Sequence, residues 1–142
     1  MSLAEAARAA AVPPFHAMAM SRAATEREAR GHRVLHLEVG QPSTPAPLGA
    51  RLAAIAAIER GEALGYTNAA GLMSLRRRIA QHYREWYAVE VDSAEVIVVS
   101  GASAGFTLAF AAAFDAGDRV GVVEPGYPCY RNTLLALGIE PV

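Results

Sequence analysis

The stretch with the clearest capacity for chemistry is a turn of small residues, Ser100 to Gly105, between two apolar segments. Small residues let backbone N–H groups approach a ligand closely, and the helix expected after the turn directs its positive end at it. Ser103 adds a hydroxyl donor. Together these features predict an anion site, typically for phosphate. Many strand-to-helix turns use small residues for packing alone, and this is the alternative interpretation.

The same turn also matches the nucleophile elbow of α/β-hydrolases. Residues 101–105 read Gly-Ala-Ser-Ala-Gly, which fits the pattern G-x-S-x-G between a strand and a helix. In that fold the catalytic histidine follows the serine and the acid along the chain. All four histidines, at positions 16, 32, 36 and 82, precede Ser103. The chain as given therefore cannot complete such a triad in that order.

The elements around the turn predict an α/β fold. Residues 96–99 form an uninterrupted β-branched run, which is typical of a strand buried on both faces. An apolar helix is expected over residues 106–114, and a second strand over residues 120–123. This order is a βαβ unit, in which ligands bind at the carboxyl ends of the strands. The candidate site loops are therefore residues 100–105 and 124–130.

Hydrophobic spacing and turn residues predict the remaining elements. Helices are expected over five further segments, at residues 4–11, 15–30, 48–60, 72–89 and 130–137. Short strands are expected at residues 34–39 and 139–142, and irregular loops at residues 40–47 and 64–71. So few strands, against about five or six in a usual sheet, indicate an incomplete α/β unit.

Three groups of side chains in these elements are assigned structural roles. His36 is expected to be structural, because no partner for it stands at metal-ligand spacing. The arginines at positions 76–78 are expected to face water at the edge of the apolar stripe of their helix. Tyr83, Trp86 and Tyr87 are expected to belong to the core.

Composition excludes several classes of function. All 13 basic residues are arginine, so the chain cannot supply a lysine for a Schiff base. The net charge of −1 gives no basic field for nucleic acid. No apolar run reaches the length of a membrane span, and the N-terminus lacks the pattern of a signal peptide. The single cysteine, Cys129, is expected to pack in a turn and fits a reducing, cytoplasmic compartment.

Three segments, in order, resemble the landmarks of a known enzyme family. Residues 34–47, VLHLEVGQPSTPAP, resemble its strand and G-x-P loop. Residues 65–83, GYTNAAGLMSLRRRIAQHY, resemble its Y-T-x-x-x-G-x-x-x-L-R motif. Residues 96–130 resemble its phosphate-loop helix and P-x-Y-P-x-Y segment. On these motifs the chain is similar to the N-terminal third of a class I/II aminotransferase, a fold-type I enzyme dependent on pyridoxal 5′-phosphate (PLP).

The resemblance implies a fold and a division of the chain. It implies a three-layer αβα domain with a mostly parallel sheet, the aminotransferase large domain, which is incomplete in this chain. Residues 1–44 would supply an N-terminal helix, a strand and the loop on the substrate side. Residues 45–142 would form the first part of the large domain, which binds PLP.

The resemblance also implies roles for individual residues. Ala102 and Ser103 would bind the cofactor phosphate through backbone N–H groups, with the Ser103 hydroxyl adding a bond. Tyr127 would stack on the pyridine ring. Tyr66 would reach the phosphate of a neighbouring subunit, which implies a homodimer. Gly40 would lie beside the substrate, and no metal is implied.

The implied activity is transfer of an amino group between an amino acid and a 2-oxo acid. The family's Schiff-base lysine, its covalent anchor and proton shuttle, lies further along than residue 142, so no catalytic residue is assigned. For the same reason the 142-residue chain alone is expected to be inactive. The alternatives are another fold-type I enzyme, such as a C–S lyase or an acyl-transferring synthase, and a non-catalytic relic of the fold.

Overall fold

The computed structural model describes Ala4, residues 6–63 and residues 65–142. Leu64, at the start of the expected loop 64–71, lies outside the described residues. The described chain contains helices α1 to α6 and strands β1 and β2. In chain order these are α1 (Ala7–Ala11), α2 (His16–Glu28), α3 (Leu48–Glu59), α4 (Met73–Tyr87), α5 (Ala102–Ala113), β1 (Arg119–Val120), α6 (Pro128–Leu137) and β2 (Glu140–Pro141).

The chain divides into two compact units, which are described separately. The first unit combines the described residues up to Gly40 with Ser100–Val142, and the second is Gln41–Val99. Among the described residues, none of the helices has both the length and the apolar composition needed to cross a bilayer.

The first unit is built around a short parallel sheet. β1 pairs with β2 in a register that places Arg119 opposite Glu140 and Val120 opposite Pro141. The backbone ladder continues beyond the assigned strands, since the Val122 N–H donates to the carbonyl of Val142 at 2.8 Å. The chain passes from β1 to β2 through α6, as a parallel pair requires. The strands expected at residues 120–123 and 139–142 are therefore present in part, whereas the βαβ unit predicted over residues 96–123 has its helix and second strand but not its first strand.

Helix α6 carries the best-buried side chains of this unit. Leu134 is fully buried and Ile139, just after the helix, is almost fully buried. Gly138 ends the helix in the left-handed conformation (φ +80°), the usual geometry of a glycine after a helix. α1 and α5 both pack on α6. The side-chain amide of Asn132 donates to the carbonyl of Pro13 at 3.2 Å, which ties the N-terminal segment to α6.

Two predicted strands are absent from the described chain. Residues 34–39 and 96–99 pair with no neighbouring strand in its described ranges, and Leu37 and Ile97 are 92% and 61% exposed. A strand buried on both faces needs a neighbour and covering helices, and hydrophobic sequence alone does not supply them. The prediction of a strand buried on both faces is therefore wrong for residues 96–99 in this structure, and the short strand expected at residues 34–39 is not formed.

The second unit consists of α3, α4 and the segments that flank them. The prediction that the arginines 76–78 face water is wrong for Arg76, which is buried within this unit. Its guanidinium donates to the carbonyls of Ala94 and Val96, at 2.7 Å each. The hydrogen bonds offset the cost of removing this charge from water.

The aromatic cluster of α4 lies on the surface of the second unit. Tyr83, Trp86 and Tyr87 are 43%, 74% and 62% exposed, so the prediction that they belong to a core is wrong for the described chain. Tyr83 and Tyr87 are one turn apart, and their ring centroids lie 5.6 Å from each other. The helix therefore groups these rings by its own periodicity, and no other described element buries them.

Candidate functional site

The turn of small residues begins helix α5 four residues earlier than predicted. Gly101 is the N-cap with φ +98°, a conformation that L side chains rarely adopt, and the helix starts at Ala102. The Gly105 N–H donates to the Gly101 carbonyl at 3.2 Å, which closes the first turn. The N–H groups of Ala102, Ser103 and Ala104 precede that bond and have no acceptor within the helix. They form a row of donors at the positive end of α5.

Ser103 is held by a neighbour that the sequence did not reveal. The thiol of Cys129 donates to the hydroxyl oxygen of Ser103, with 3.2 Å between sulfur and oxygen. Cys129 is 8% exposed and also lies 3.6 Å from the hydroxyl oxygen of Thr133. Its expected role as a packing residue is correct, but the sequence separation of 26 residues gave no sign of this contact. Because Ser103 accepts from the thiol, its own O–H proton can serve another acceptor.

Tyr127 comes immediately before α6, two residues ahead of Cys129. Its ring makes edge contacts with Tyr130 and Phe15, at centroid distances of 5.5 Å and 6.3 Å. The side chain is nonetheless 46% exposed, so ring surface stays available to a ligand. Tyr127 also lines a cavity of about 290 Å³, together with Glu124 and other residues of the loop before α6. The ring is thus held by two aromatic neighbours and still has exposed surface.

The first unit brings together part of the predicted site. Ala102 and Ser103 begin α5, and the Ser103–Cys129 hydrogen bond connects them to the turn that carries Tyr127. Gly40 belongs to the same unit and is exposed in an irregular segment. Tyr66 belongs to the second unit, where its side chain is fully exposed in a loop.

A further cluster that sequence reasoning missed stands close to Gly40 along the chain. His36 lies between two carboxylates, with Nδ1 2.8 Å from Glu38 and Nε2 3.1 Å from Glu28. The hydrogen bonds to Glu38 and then Glu28 raise the pKa of His36 above its ordinary value of 6.5. The hydrogen bond from His36 lowers the pKa of Glu38 below 4.5. Metal-ligand spacing in the sequence gives no sign of this arrangement of one histidine between two carboxylates.

Metal binding finds no support in the part of the chain that the structure describes. None of its groups of histidine, cysteine, aspartate and glutamate has three members placed to hold an ion. The groups that the candidate site does offer are backbone N–H donors, a hydroxyl and an aromatic ring.

Comparisons with known proteins show the family to which the chain belongs. The profile of the family "Aminotransferase class I and II" matches residues 32–142. A valine–pyruvate aminotransferase of Mycobacterium tuberculosis is 47% identical over 133 residues, which cover 94% of this chain and 34% of that protein. A (5-formylfuran-3-yl)methyl phosphate transaminase of Methanocaldococcus jannaschii is 33% identical, over 90% of this chain and 34% of that protein.

The fold is shared as well. The crystal structure of an aminotransferase from Mycobacterium tuberculosis superposes with a TM-score of 0.91 and 46% identity, over 99% of this chain and 36% of that one. The chain spans about a third of the length of these relatives, so it contains an incomplete αβα domain. On the match over residues 32–142, this chain belongs to the class I and II aminotransferases, a family whose members generally use PLP.

Proposed function

We propose that residues 1–142 are the N-terminal part of a PLP-dependent aminotransferase that exchanges an amino group between an amino acid and a 2-oxo acid. The observation that carries the proposal is the family match over residues 32–142, in which the donor-rich start of α5 falls. The names of the relatives favour an aminotransferase over a C–S lyase or an acyl-transferring synthase. The protein is proposed to act in the cytoplasm.

The start of α5 has the chemistry that a phosphate monoester needs. The donors it offers there include the N–H groups of Ala102 and Ser103 and the Ser103 hydroxyl proton. These donors lie at the positive end of a helix, where a negative charge is stabilised. Gly101 leaves the entrance open, since a Cβ built on it would meet nothing within 4 Å. The residues present therefore fit the phosphate of PLP.

The remaining residues of the site would orient the reactants. PLP, when bound, is the electron sink for the amino acid's α-carbon. Tyr127 would hold the flat face of the cofactor ring, because its own ring is held by Tyr130 and Phe15 and is still 46% exposed. The backbone of Gly40 would lie beside the substrate, where a larger residue would take up space that the substrate needs. The proton at the substrate's α-carbon needs a lysine, which this chain does not contain, so the 142 residues alone would transfer no amino group.

The same proposal assigns different roles to two parts of the chain and to the two subunits of a dimer. Residues 1–44 would supply the substrate side, and residues 45–142 would begin the large domain that holds PLP. Tyr66 would reach the phosphate in the neighbouring subunit of a homodimer. Its complete exposure leaves the phenol free for such a contact.

The first substrates to assay are valine and pyruvate, because the 47% identical relative is named for them. The test begins with the intact mass of the protein purified from cells that encode it. A mass near 15.0 kDa would favour the non-catalytic relic, because the protein would then contain no lysine. A heavier protein is then assayed for alanine formed from valine and pyruvate, with other amino donors in parallel.

The variant that tests the phosphate site is Ser103→Ala, which removes one phosphate donor and leaves the helix in place. We expect its Kd for PLP to rise by about 2- to 10-fold, as the loss of one hydrogen bond implies, while its Kd for phosphate-free pyridoxal stays the same. A heavier wild-type protein that retains no PLP and transfers no amino group from any donor would refute the proposal.

A further inference from the structure

Arg76 is a buried charge that the proposed reaction does not use. It is 7% exposed, whereas the next residues, Arg77 and Arg78, are exposed. Nε donates to the carbonyl of Val96 and Nη2 to the carbonyl of Ala94, both at 2.7 Å. Within the described residues Arg76 has no carboxylate at ion-pair distance. The guanidinium therefore directs its hydrogen bonds to the backbone and ties α4 to the segment 94–96.

Ala70 and Gly71, which precede α4, contact the same segment at Val98. The Val98 N–H donates to the carbonyl of Ala70 at 3.0 Å. Gly71 has φ +95°, and a Cβ built on it would lie only 2.7 Å from the Cβ of Val98. The backbone of Gly71 thus passes directly against Val98, which leaves no room for a side chain. Residues 94–98 are therefore fixed by contacts at Ala70, Gly71 and Arg76.

These contacts give a physical role to two positions of a motif. Gly71 and Arg76 are the glycine and arginine of Y-T-x-x-x-G-x-x-x-L-R, and the proposed function uses only its first tyrosine. The segment that they fix continues through Val99 into Ser100, where the turn before α5 begins. We propose that Arg76 is a positioning residue: by fixing residues 94–98 it sets the backbone conformation of the segment that leads covalently into Ser100, the first residue of the phosphate-binding turn. This inference rests on the proposed function, because it assumes that the turn binds the phosphate of PLP.

The geometry explains why an arginine is needed. The guanidinium is a rigid planar fork, so one side chain donates to two carbonyls from different nitrogens. A lysine ammonium at the same position is a single centre on a flexible stem, and it cannot reproduce both bonds with this geometry. Leucine would fill part of the volume and leave both carbonyls without their donor. We therefore expect phosphate binding to weaken in the order wild type, Arg76→Lys, Arg76→Leu.

The test uses the protein at its full natural length, with Arg77→Leu as the matched control on the exposed side of α4. The Kd values for PLP and for phosphate-free pyridoxal are measured on the cofactor-free protein. For Arg76→Lys we expect weaker PLP binding by at most about tenfold, because the hydrogen bond lost lies within the protein and only part of its free energy is coupled to the phosphate, and less than about twofold change for pyridoxal. Arg77→Leu should leave both Kd values unchanged.

Hydrogen exchange without cofactor supplies an independent measurement. In Arg76→Lys the amides of residues 96–101 should exchange faster, while those of α6 keep the wild-type rate. Equal changes in the two Kd values, or no change in either, would overturn the inference, because a merely structural arginine cannot distinguish the two ligands. A wild-type protein with equal affinity for PLP and pyridoxal would instead overturn the proposed phosphate site, and with it the inference.

Discussion

At the scale of single residues, the Ser103 hydroxyl shows how a buried neighbour can set the direction of an exposed donor. The Cys129 thiol donates to its oxygen, so the hydroxyl proton is not needed inside the protein. The hydroxyl oxygen of Thr133 also lies 3.6 Å from the sulfur. A serine at the start of a helix would otherwise rotate among several acceptors. The thiol therefore prepares Ser103 to donate outward.

The burial of Cys129 predicts low reactivity for this thiol. Its side chain is 8% exposed and both of its polar contacts are internal. Buried structural cysteines react only when the protein opens locally. We expect a chromogenic disulfide reagent to modify the native protein at least about tenfold more slowly than the same protein in denaturant. Equal rates in the two conditions would show that the thiol is not shielded.

A second prediction at this scale concerns Gly71. Replacement by alanine would bring a Cβ against Val98 and would also strain a residue at φ +95°. We expect the free energy of unfolding to fall by about 1–3 kcal/mol, measured by urea titration. Gly61→Ala is the matched control, since its φ is also positive, at +66°, but its Cβ would meet nothing within 4 Å. If both variants lose the same stability, the close approach to Val98 does not matter.

At the scale of elements, helices were easier to predict than strands. The helix expected over residues 48–60 is α3, Leu48–Glu59, because helical hydrogen bonds and spacing are local. Residues 96–99 carry a strand-like sequence but no ladder, because a strand depends on a partner elsewhere in the chain. The prediction for Arg76 is wrong for the same reason, because its hydrogen-bond acceptors, the carbonyls of Ala94 and Val96, are distant in the sequence. Arg76 lies one turn from Leu72 and Ile79, on the apolar face, and its charge alone suggested the opposite side.

The pair of segments joined by His36 has a predictable pH dependence. The raised pKa of His36 means that its contribution to stability is present below pH 6.5 and is lost as the pH rises through the folded-state value. The lowered pKa of Glu38 means that its contribution is present above pH 4.5 and is lost as the pH falls through the folded-state value. The link between α2 and the segment before Gly40 should therefore be strongest between these two pH values.

The measurement is the free energy of unfolding of the wild type and of His36→Gln, over a pH range that extends below and above these two values. The difference between the two proteins should be largest between pH 4.5 and 6.5 and should shrink on both sides. His32→Gln, which changes a histidine outside the cluster, serves as the control. A difference that is independent of pH would mean that His36 acts by packing rather than by charge.

At the scale of the whole molecule, the proposed homodimer predicts that two different variants can complement each other in a mixed dimer. If Tyr66 completes the site of the neighbouring subunit, a Tyr66→Phe subunit and a Ser103→Ala subunit can share one intact site in a mixed dimer. In that dimer the other site carries both defects. Random mixing makes about half of the dimers mixed, so about a quarter of all sites should bind PLP with wild-type affinity.

The experiment unfolds and refolds the two variants together and titrates PLP, with each variant refolded alone as the reference. The mixture should show a high-affinity fraction that neither variant shows by itself. If Tyr66 serves the site of its own subunit, every site in the mixture carries one defect. The titration would then contain no wild-type fraction, and the proposed arrangement of the dimer would be wrong.

The hydrogen bond between Asn132 and Pro13 also has a consequence for how the chain is made. The two residues are 119 positions apart, so the ribosome must add all the intervening residues before the contact can form. At about 5–20 residues per second, this takes about 6 to 24 s. Until then the N-terminal segment is without its native partner, even after it has left the ribosome. Its native docking is therefore among the last steps of this region's folding during synthesis, and chaperones have those seconds in which to reach it.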